Sequence, residues 1–331
     1  MNDDAWEHDS LDERRVLAER FAMADLSAWS RVGLFGEDRR AFLHNLCTND
    51  IKKLEDGHGR EAMLCDAKGR VLFHVLIFAR REALALWTIP GAARRLAAHL
   101  DRYLIRERVQ VRDHTEETSE WLVAGPKAEA TLVELTGQPP PSEDLASAPI
   151  TIEGREAWIS RVETAFRRGF LVDVARSDGD WLRSRLVAFG AERVGELAVE
   201  SARLEAGFPR YGVDIGEKNL PQEVGRDRLA INFNKGCYLG QETVARLDAL
   251  GHVNKLLVRL RFDDSAAPPS GTELRSHGAR VGEVTSAAPS LDVSGAVGLG
   301  YVAHGRHTPG TRLESDVGEC EIVAAGDSRP R

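Results

Sequence analysis

The sequence predicts a mixed α+β fold that gives way to a small all-β unit at its C-terminal end. Three observations carry this. Strand-like and helix-like stretches follow one another from residue 28 to about 206. From Gly251 onward only short strands remain, separated by Gly, Pro and Ser. Hydrophobic residues make up 42% of the 331 and charged residues 29%, a balance that supports a real core and a wetted surface.

Taken in order, the residues up to Met23 read as a polar lead-in with a short helix around 11–20. A strand is expected over 28–35. Asp38 then caps a helix carrying Phe42, Leu43 and Leu46 on one face. Residues 71–79 and 83–89 are rich in branched and aromatic side chains and form a hairpin around Arg80-Arg81-Glu82. After Pro90-Gly91, Leu96, Leu100 and Leu104 recur every fourth residue, the stripe of a core-facing helix.

A second module starts near Trp121 and has strands at 157–162 and 169–174. Asp180 is expected to cap a helix bearing Leu182, Leu186 and Phe189. A further helix over 196–206 stops at Gly207, with Pro209 just beyond. Strands at 256–262, 281–285 and 297–302, with turns at 267–271 and 276–278, complete a barrel or sandwich of about 75 residues.

Bulk properties narrow the function. A net charge of −8 argues against direct nucleic-acid binding, since phosphate neutralisation requires a basic face. The basic clusters at 94–95 and 102–108 are interleaved with acids and read as solvated helix surface. No apolar run approaches the roughly 18 residues of a membrane span, and the acidic start resembles no targeting segment. A cytoplasmic protein is expected.

Four cysteines, Cys47, Cys65, Cys237 and Cys320, are scattered without a CxxC pair, so no metal site is read from spacing. Cys237 alone has unusual surroundings, in Asn234-Lys235-Gly236-Cys237-Tyr238-Leu239-Gly240-Gln241-Glu242. Glycines on both sides free the backbone and thin the cover over the sulfur. A helix beginning at Gly240 would place the thiol near its positive end beside Lys235, and both features favour thiolate. The bland alternative is a glycine-punctuated loop around a buried, inert cysteine. Glu205, at the end of its helix, is either a solvated carboxylate or one aimed at the amide-like edge of a heterocycle. The Asn45–Asp50 cluster reads as helix capping and Asp66–Arg70 as a hairpin turn.

The run KGCYLGQETVAR resembles the K-G-C-aromatic-x-G-Q-E signature of the folate-binding YgfZ-type proteins. These are relatives of the glycine-cleavage T-protein and of mitochondrial iron–sulfur assembly factors. RLEAGFPRYGVDI and LPQE resemble the segments preceding that signature. FLHNLCTNDIKKLEDGHGREAMLCDAKGRVLFHVLI resembles the family's N-terminal block, and RVGEVTSAA with VGLGYV its C-terminal barrel. Similar blocks run in order over about residues 28–305.

The resemblance implies three domains in a ring. These are 24–115 with 207–250 as the folate-binding unit, 116–206, and the barrel 251–331. It implies tetrahydrofolate or another reduced folate in a central channel. Cys237 would be the acting residue, with Lys235, Gly236, Gly240, Gln241 and Glu242 shaping its loop. Glu205 would contact the pterin, with Asp66, Tyr211, Glu223 and Arg246 as further cofactor-binding candidates. The implied partners are iron–sulfur proteins or cluster carriers, with tRNA modification supported indirectly.

One departure affects chemistry. Aminomethyltransferases of this family carry an acidic pair in the strand where this sequence has Phe73 and His74. That favours an accessory role for iron–sulfur proteins over a folate-dependent aminomethyltransferase, one-carbon transferase or demethylase. A third reading is a cysteine hydrolase pairing Cys237 with His44, His74 or His252, which needs an imidazole within hydrogen-bond reach of the sulfur.

Overall fold

The computed structural model describes residues 4–263, 266–291 and 294–324. The first part of the chain runs α1 (Asp4–Glu19), β1 (Ala22–Asp25), β2 (Ser30–Phe35), α2 (Arg39–His44), β3 (Gly59–Cys65), β4 (Val71–Arg80), β5 (Ala83–Thr88), α3 (Ala93–Asp101) and β6 (Gln110–Asp113). The second continues with β7 (Thr118–Ala124), α4 (Ala128–Thr136), β8 (Ser147–Ile152), β9 (Arg155–Arg161), β10 (Gly169–Ala175), α5 (Gly179–Ala188), β11 (Glu192–Arg193) and α6 (Glu196–Glu205). Short helices α7 (Asp227–Ala230) and α8 (Gln241–Leu250) follow. The last part holds β12 (Lys255–Phe262), β13 (Glu273–Ser276), β14 (Ala279–Pro289), β15 (Ala296–Ala303), β16 (Arg312–Ser315) and β17 (Gly318–Val323).

Three sheets result. The first has five strands in the order β3-β4-β5-β2-β6, the second six in the order β11-β1-β7-β10-β9-β8. The last six strands close into an antiparallel barrel, β12-β15-β14-β13-β16-β17, with β12 sealing against β17. Closure removes the edges that would otherwise expose unpaired backbone. The expected α+β body with a C-terminal antiparallel barrel is the observed architecture.

Several local expectations shift. Order begins well before Met23: β1 pairs antiparallel with β7, because Ala22 and Ala24 pack into the apolar layer between the first two sheets. A strand from the lead-in therefore sits inside the second sheet. Asp38 flanks α2 without capping it; its carboxylate instead accepts from the Arg108 amide at 2.8 Å. Asp180 lies within the first turn of α5, whose flanking residue is Asp178. Helix α3 buries Leu96 and Leu100, but Leu104 falls past its end and packs at the margin of the core.

The first sheet packs against both others, and α6 also reaches the barrel. Leu76, Phe78 and Trp87 of the first share one core with Leu122 and Leu171 of the second. Met63 and Val71 pack against Leu257, Val297 and Leu299 of the barrel. Arg203 of α6 reaches Ser286 of β14 and pairs with Asp214 at 2.9 Å. Burying that guanidinium is tolerable because carboxylates and hydroxyls take its N–H groups.

Candidate functional site

The segment 232–241 is pinned to the end of α2. The amide of Asn232 donates to Thr48 O and that of Leu239 to Asn45 O. Lys235 is buried, and its ammonium donates to the carbonyls of His44, Cys47 (2.6 Å) and Asn49 (2.8 Å). An ammonium has three N–H donors, so this set is complete. Lys235 therefore turns inward, contrary to the expectation that it would lie beside the thiol. The physical reason is the cluster of buried carbonyls that converges there, one from the last residue of α2 and two from the loop after it. Burial pushes the Lys235 ammonium below its ordinary range, with partial compensation from Cys47 and Asp50.

Tyr238 is buried beneath the Lys235 ammonium, 4.7 Å from ring centroid to Nζ. Gln241 closes the loop: its amide donates to Tyr238 O at 3.1 Å and its side-chain oxygen accepts from the Tyr238 amide. Between these anchors Cys237 is exposed, the one exposed cysteine of the four. Glu242 stands exposed in the first turn of α8. Gly236 does not bend the loop, since its φ is not positive and open space surrounds it. Gly240 does the bending, at φ +84°.

Asp66 serves its own hairpin, its carboxylate accepting from the Lys68 and Arg70 amides at 2.8 Å each. That turn abuts the start of α8, so the structure brings the Asp66 turn and the Cys237 loop together. Glu223 is likewise used locally, accepting from the Leu220 amide at 3.1 Å. Tyr211 is buried, stacked 6.4 Å from Phe73 with the Arg95 guanidinium 5.1 Å above its ring. Arg246 is exposed on α8.

Glu205 ends α6 and is partly buried. Its Oε1 accepts from the Ser290 hydroxyl at 2.7 Å and the Leu291 amide at 3.3 Å. Arg259 of β12 donates to the Glu205 carbonyl, and its own Nε is buried without a partner. Burial pushes the Arg259 guanidinium down, while the Glu205 charge opposes the shift. A carboxylate next to an unsatisfied guanidinium N–H can grip a flat heterocycle that offers both N–H donors and an acceptor. No contact among the described residues joins this site to Cys237.

The sequence reading missed a buried polar network that ties β3 and β4 to Arg226 and Thr164. Glu61 of β3 is fully buried and accepts from His74 Nε2 at 2.7 Å and from both arms of Arg226, one at 2.6 Å. Arg226 also donates to Thr164, and its guanidinium lies 5.4 Å above Phe208. Burial alone would raise the Glu61 carboxyl. The Arg226 charge and the His74 contact outweigh it and hold the group at about 2. His74 Nδ1 meets Pro209 O at 3.2 Å, so both ring nitrogens are engaged. The sequence signal for this network was a glutamate at the head of the apolar run Ala62 to Cys65.

His44 Nδ1 faces Asp50 at 3.2 Å and His252 packs on His304 at 4.8 Å. Neither they nor His74 hydrogen-bonds the Cys237 thiol, so the cysteine–histidine hydrolase pair is not assembled. The Asn45–Asp50 cluster is structural: Thr48 Oγ1 donates to Ala230 O and Asn49 Nδ2 to Glu61 O and Leu229 O. No three His, Cys, Asp or Glu groups among the described residues could hold a metal ion, and no helix is long and apolar enough to cross a membrane.

A cavity of about 300 Å³ lies between the first two sheets. Trp87, Trp158, Phe78, Arg80 and Glu120 line it, and none of the candidate site residues read from the sequence contributes to its wall. Glu120 accepts from Trp87 Nε1, and burial, with the Asp173 charge adding, pushes its carboxyl up to about 7 against the pull of Arg31.

The chain matches the family described as the GCVT N-terminal domain over residues 2–235, and the glycine cleavage T-protein C-terminal barrel domain over residues 255–327. A chloroplastic candidate transferase of Arabidopsis thaliana is 29% identical across 85% of this chain, which spans 65% of that protein's length. An aminomethyltransferase of Rubrobacter xylanophilus is 28% identical across 88% of this chain and 78% of its own. The crystal structure of the glycine cleavage system aminomethyltransferase T from Bartonella henselae superposes with a TM-score of 0.84 at 20% identity, covering 95% of this chain and 88% of that one. That last likeness concerns the fold.

Proposed function

Because the chain belongs to the glycine cleavage T-protein family through both its N-terminal domain and its barrel, we propose that it binds a reduced folate, tetrahydrofolate or a close derivative, and handles a one-carbon group. The names of its relatives, aminomethyltransferase and candidate transferase, favour a folate-dependent one-carbon transferase. The observation that carries folate binding is the juxtaposition of Glu205 with the unsatisfied Nε of Arg259. A pterin edge presents an amino group and a ring N–H to a carboxylate, and ring acceptors to a guanidinium N–H. The residues present therefore fit the group. When bound, the folate supplies the amine that carries the one-carbon unit. Glu205, at the end of α6, and Arg259, on β12 of the barrel, hold and orient it where these two elements meet.

The proton chemistry must differ from that of an acidic pair on β4. His74 has both nitrogens engaged, and Glu61, held near 2, stays ionised and paired at neutral pH. Neither is suited to act as a general base: both ring nitrogens of His74 face acceptors, and a carboxylate held near 2 is a weak base at neutral pH.

A second reading rests on Cys237. An exposed thiol on a loop fixed at Lys235, Tyr238 and Gln241 is accessible and held in place. It fits an accessory role toward iron–sulfur proteins or cluster carriers in the cytoplasm, with support of tRNA modification as an indirect consequence.

Calorimetric titration with tetrahydrofolate tests the first proposal, with an expected loss in affinity of about tenfold or more in Glu205→Ala. Failure of the wild type to bind any reduced folate overturns it. Incubation with tetrahydrofolate and an aminomethyl or N-methyl donor then separates the readings. Turnover to methylene-tetrahydrofolate supports the transferase. Unaltered iron–sulfur enzyme activities in a host carrying only Cys237→Ser end the accessory role.

A further inference from the structure

A second cavity, of about 230 Å³, lies where the C-terminal end of α8 meets the start of β12. Its chemistry is unlike that of the Glu205 site. Three buried acceptor-capable atoms in its wall have no hydrogen-bond partner: Gln222 Oε1, Asp227 Oδ1 and His307 Nδ1. Gln222 is only 6% exposed, and its amide nitrogen is already committed to Val244 O at 2.6 Å. Its oxygen therefore needs a donor from inside the cavity. An unmet buried acceptor costs about 1–3 kcal/mol, so three lining one cavity imply an occupant that donates.

The charge around the cavity has one sign. Asp227 and Asp248 line it with His252, His304 and His307, and no Lys or Arg does. The last turn of α8 adds the negative end of a helix dipole. Burial and the Asp248 charge push the Asp227 carboxyl up to about 6, a penalty that a cation would relieve. Among the described residues no three acidic, histidine or thiol groups converge as a metal requires. An ammonium is less demanding, asking only for acceptors at ordinary hydrogen-bond distance. The volume is several times the share of one water, leaving room for a stem. Leu247, Val253 and Leu256 supply an apolar side for it.

We propose that this cavity binds a small primary ammonium compound. Its –NH₃⁺ donates to Gln222 Oε1, Asp227 Oδ1 and His307 Nδ1, and a short aliphatic stem lies along Leu247, Val253 and Leu256. His307 takes part as the tautomer protonated on Nε2, leaving Nδ1 to accept. The site is separate from folate binding and from Cys237, so it stands or falls independently of them.

The test is calorimetry on the full chain without folate, using n-butylammonium, tetramethylammonium and n-butanol at constant ionic strength. Saturable binding of n-butylammonium is expected, with tetramethylammonium, which has charge but no N–H, weaker by about tenfold or more. Butanol is expected not to bind. Asp227→Asn and His307→Phe, each checked for an intact fold by thermal melting, should each weaken n-butylammonium by about tenfold. No saturable heat with n-butylammonium would mean that the cavity holds only water, and overturns the proposal. So do equal affinity for tetramethylammonium, indifference to both substitutions, or displacement of n-butylammonium by micromolar divalent metal.

Discussion

Gly69 and Gly240 meet backbone to backbone. A Cβ built on Gly240 would lie 2.9 Å from the Gly69 Cα and 2.5 Å from the Asp66 carbonyl oxygen. Through this contact the hairpin turn of the first sheet sets where α8 starts, and with it the position of Cys237.

Gly240→Ala should therefore destabilise the protein by about 2–4 kcal/mol, combining a strained positive φ with a clash against backbone that cannot move aside. Gly236→Ala, earlier in the same motif, meets open space and should cost at most about 0.5 kcal/mol. Chemical denaturation of the two variants checks the contrast. Equal losses would mean that the contact does not set the loop.

Lys235→Met removes the donor shared by three buried carbonyls and should cost about 2–4 kcal/mol. The rate of Cys237 alkylation at a fixed pH, in the variant while still folded, should stay within about twofold of wild type, because the ammonium serves buried carbonyls near the end of α2. A fall of about tenfold would restore Lys235 as the activator of the thiol.

Arg226→Met leaves Glu61 charged and buried, and should lower stability by about 3–5 kcal/mol. The double substitution Glu61→Leu with Arg226→Met should recover much of that loss, since neither charge is then stranded. Equilibrium denaturation of the single and double variants gives the coupling. Strict additivity would count against the network.

Two carboxyls give stability opposite dependences on pH. Glu61, lowered to about 2, contributes stability that is present above the unfolded value near 4 and lost as pH falls toward 2. Glu120 is raised to about 7, so the folded state holds a proton that the unfolded state has released, and stability falls as pH climbs from about 4 through 7. Glu120→Gln should thus gain melting temperature relative to wild type between pH 5 and pH 8. A difference independent of pH would show that Glu120 does not titrate there.

The hairpin at 71–88, the Leu96–Leu100 stripe, the stop at Gly207 and the barrel strands were legible because periodicity and turn chemistry are local. The exposure of Cys237 followed from the glycine-bordered motif. The Asn45–Asp50 cluster does not cap the helix it follows: Thr48 and Asn49 reach carbonyls of α7, far away in the chain, and of β3. The inward turn of Lys235 was not legible, because the carbonyls it satisfies lie about 190 residues earlier in the chain. Glu61, Thr164 and Arg226 gave little sign of one another for the same reason.

The sequence by itself determined most of the order of elements, the all-β C-terminal unit and the likeness to the glycine cleavage T-protein, since these rest on patterns written in neighbouring residues. Only the tertiary structure decided which polar groups meet. Burial makes a charge costly wherever it lies, and the partner that offsets the cost is chosen by proximity in space. Glu61 with Arg226, and Arg203 with Asp214, are such choices.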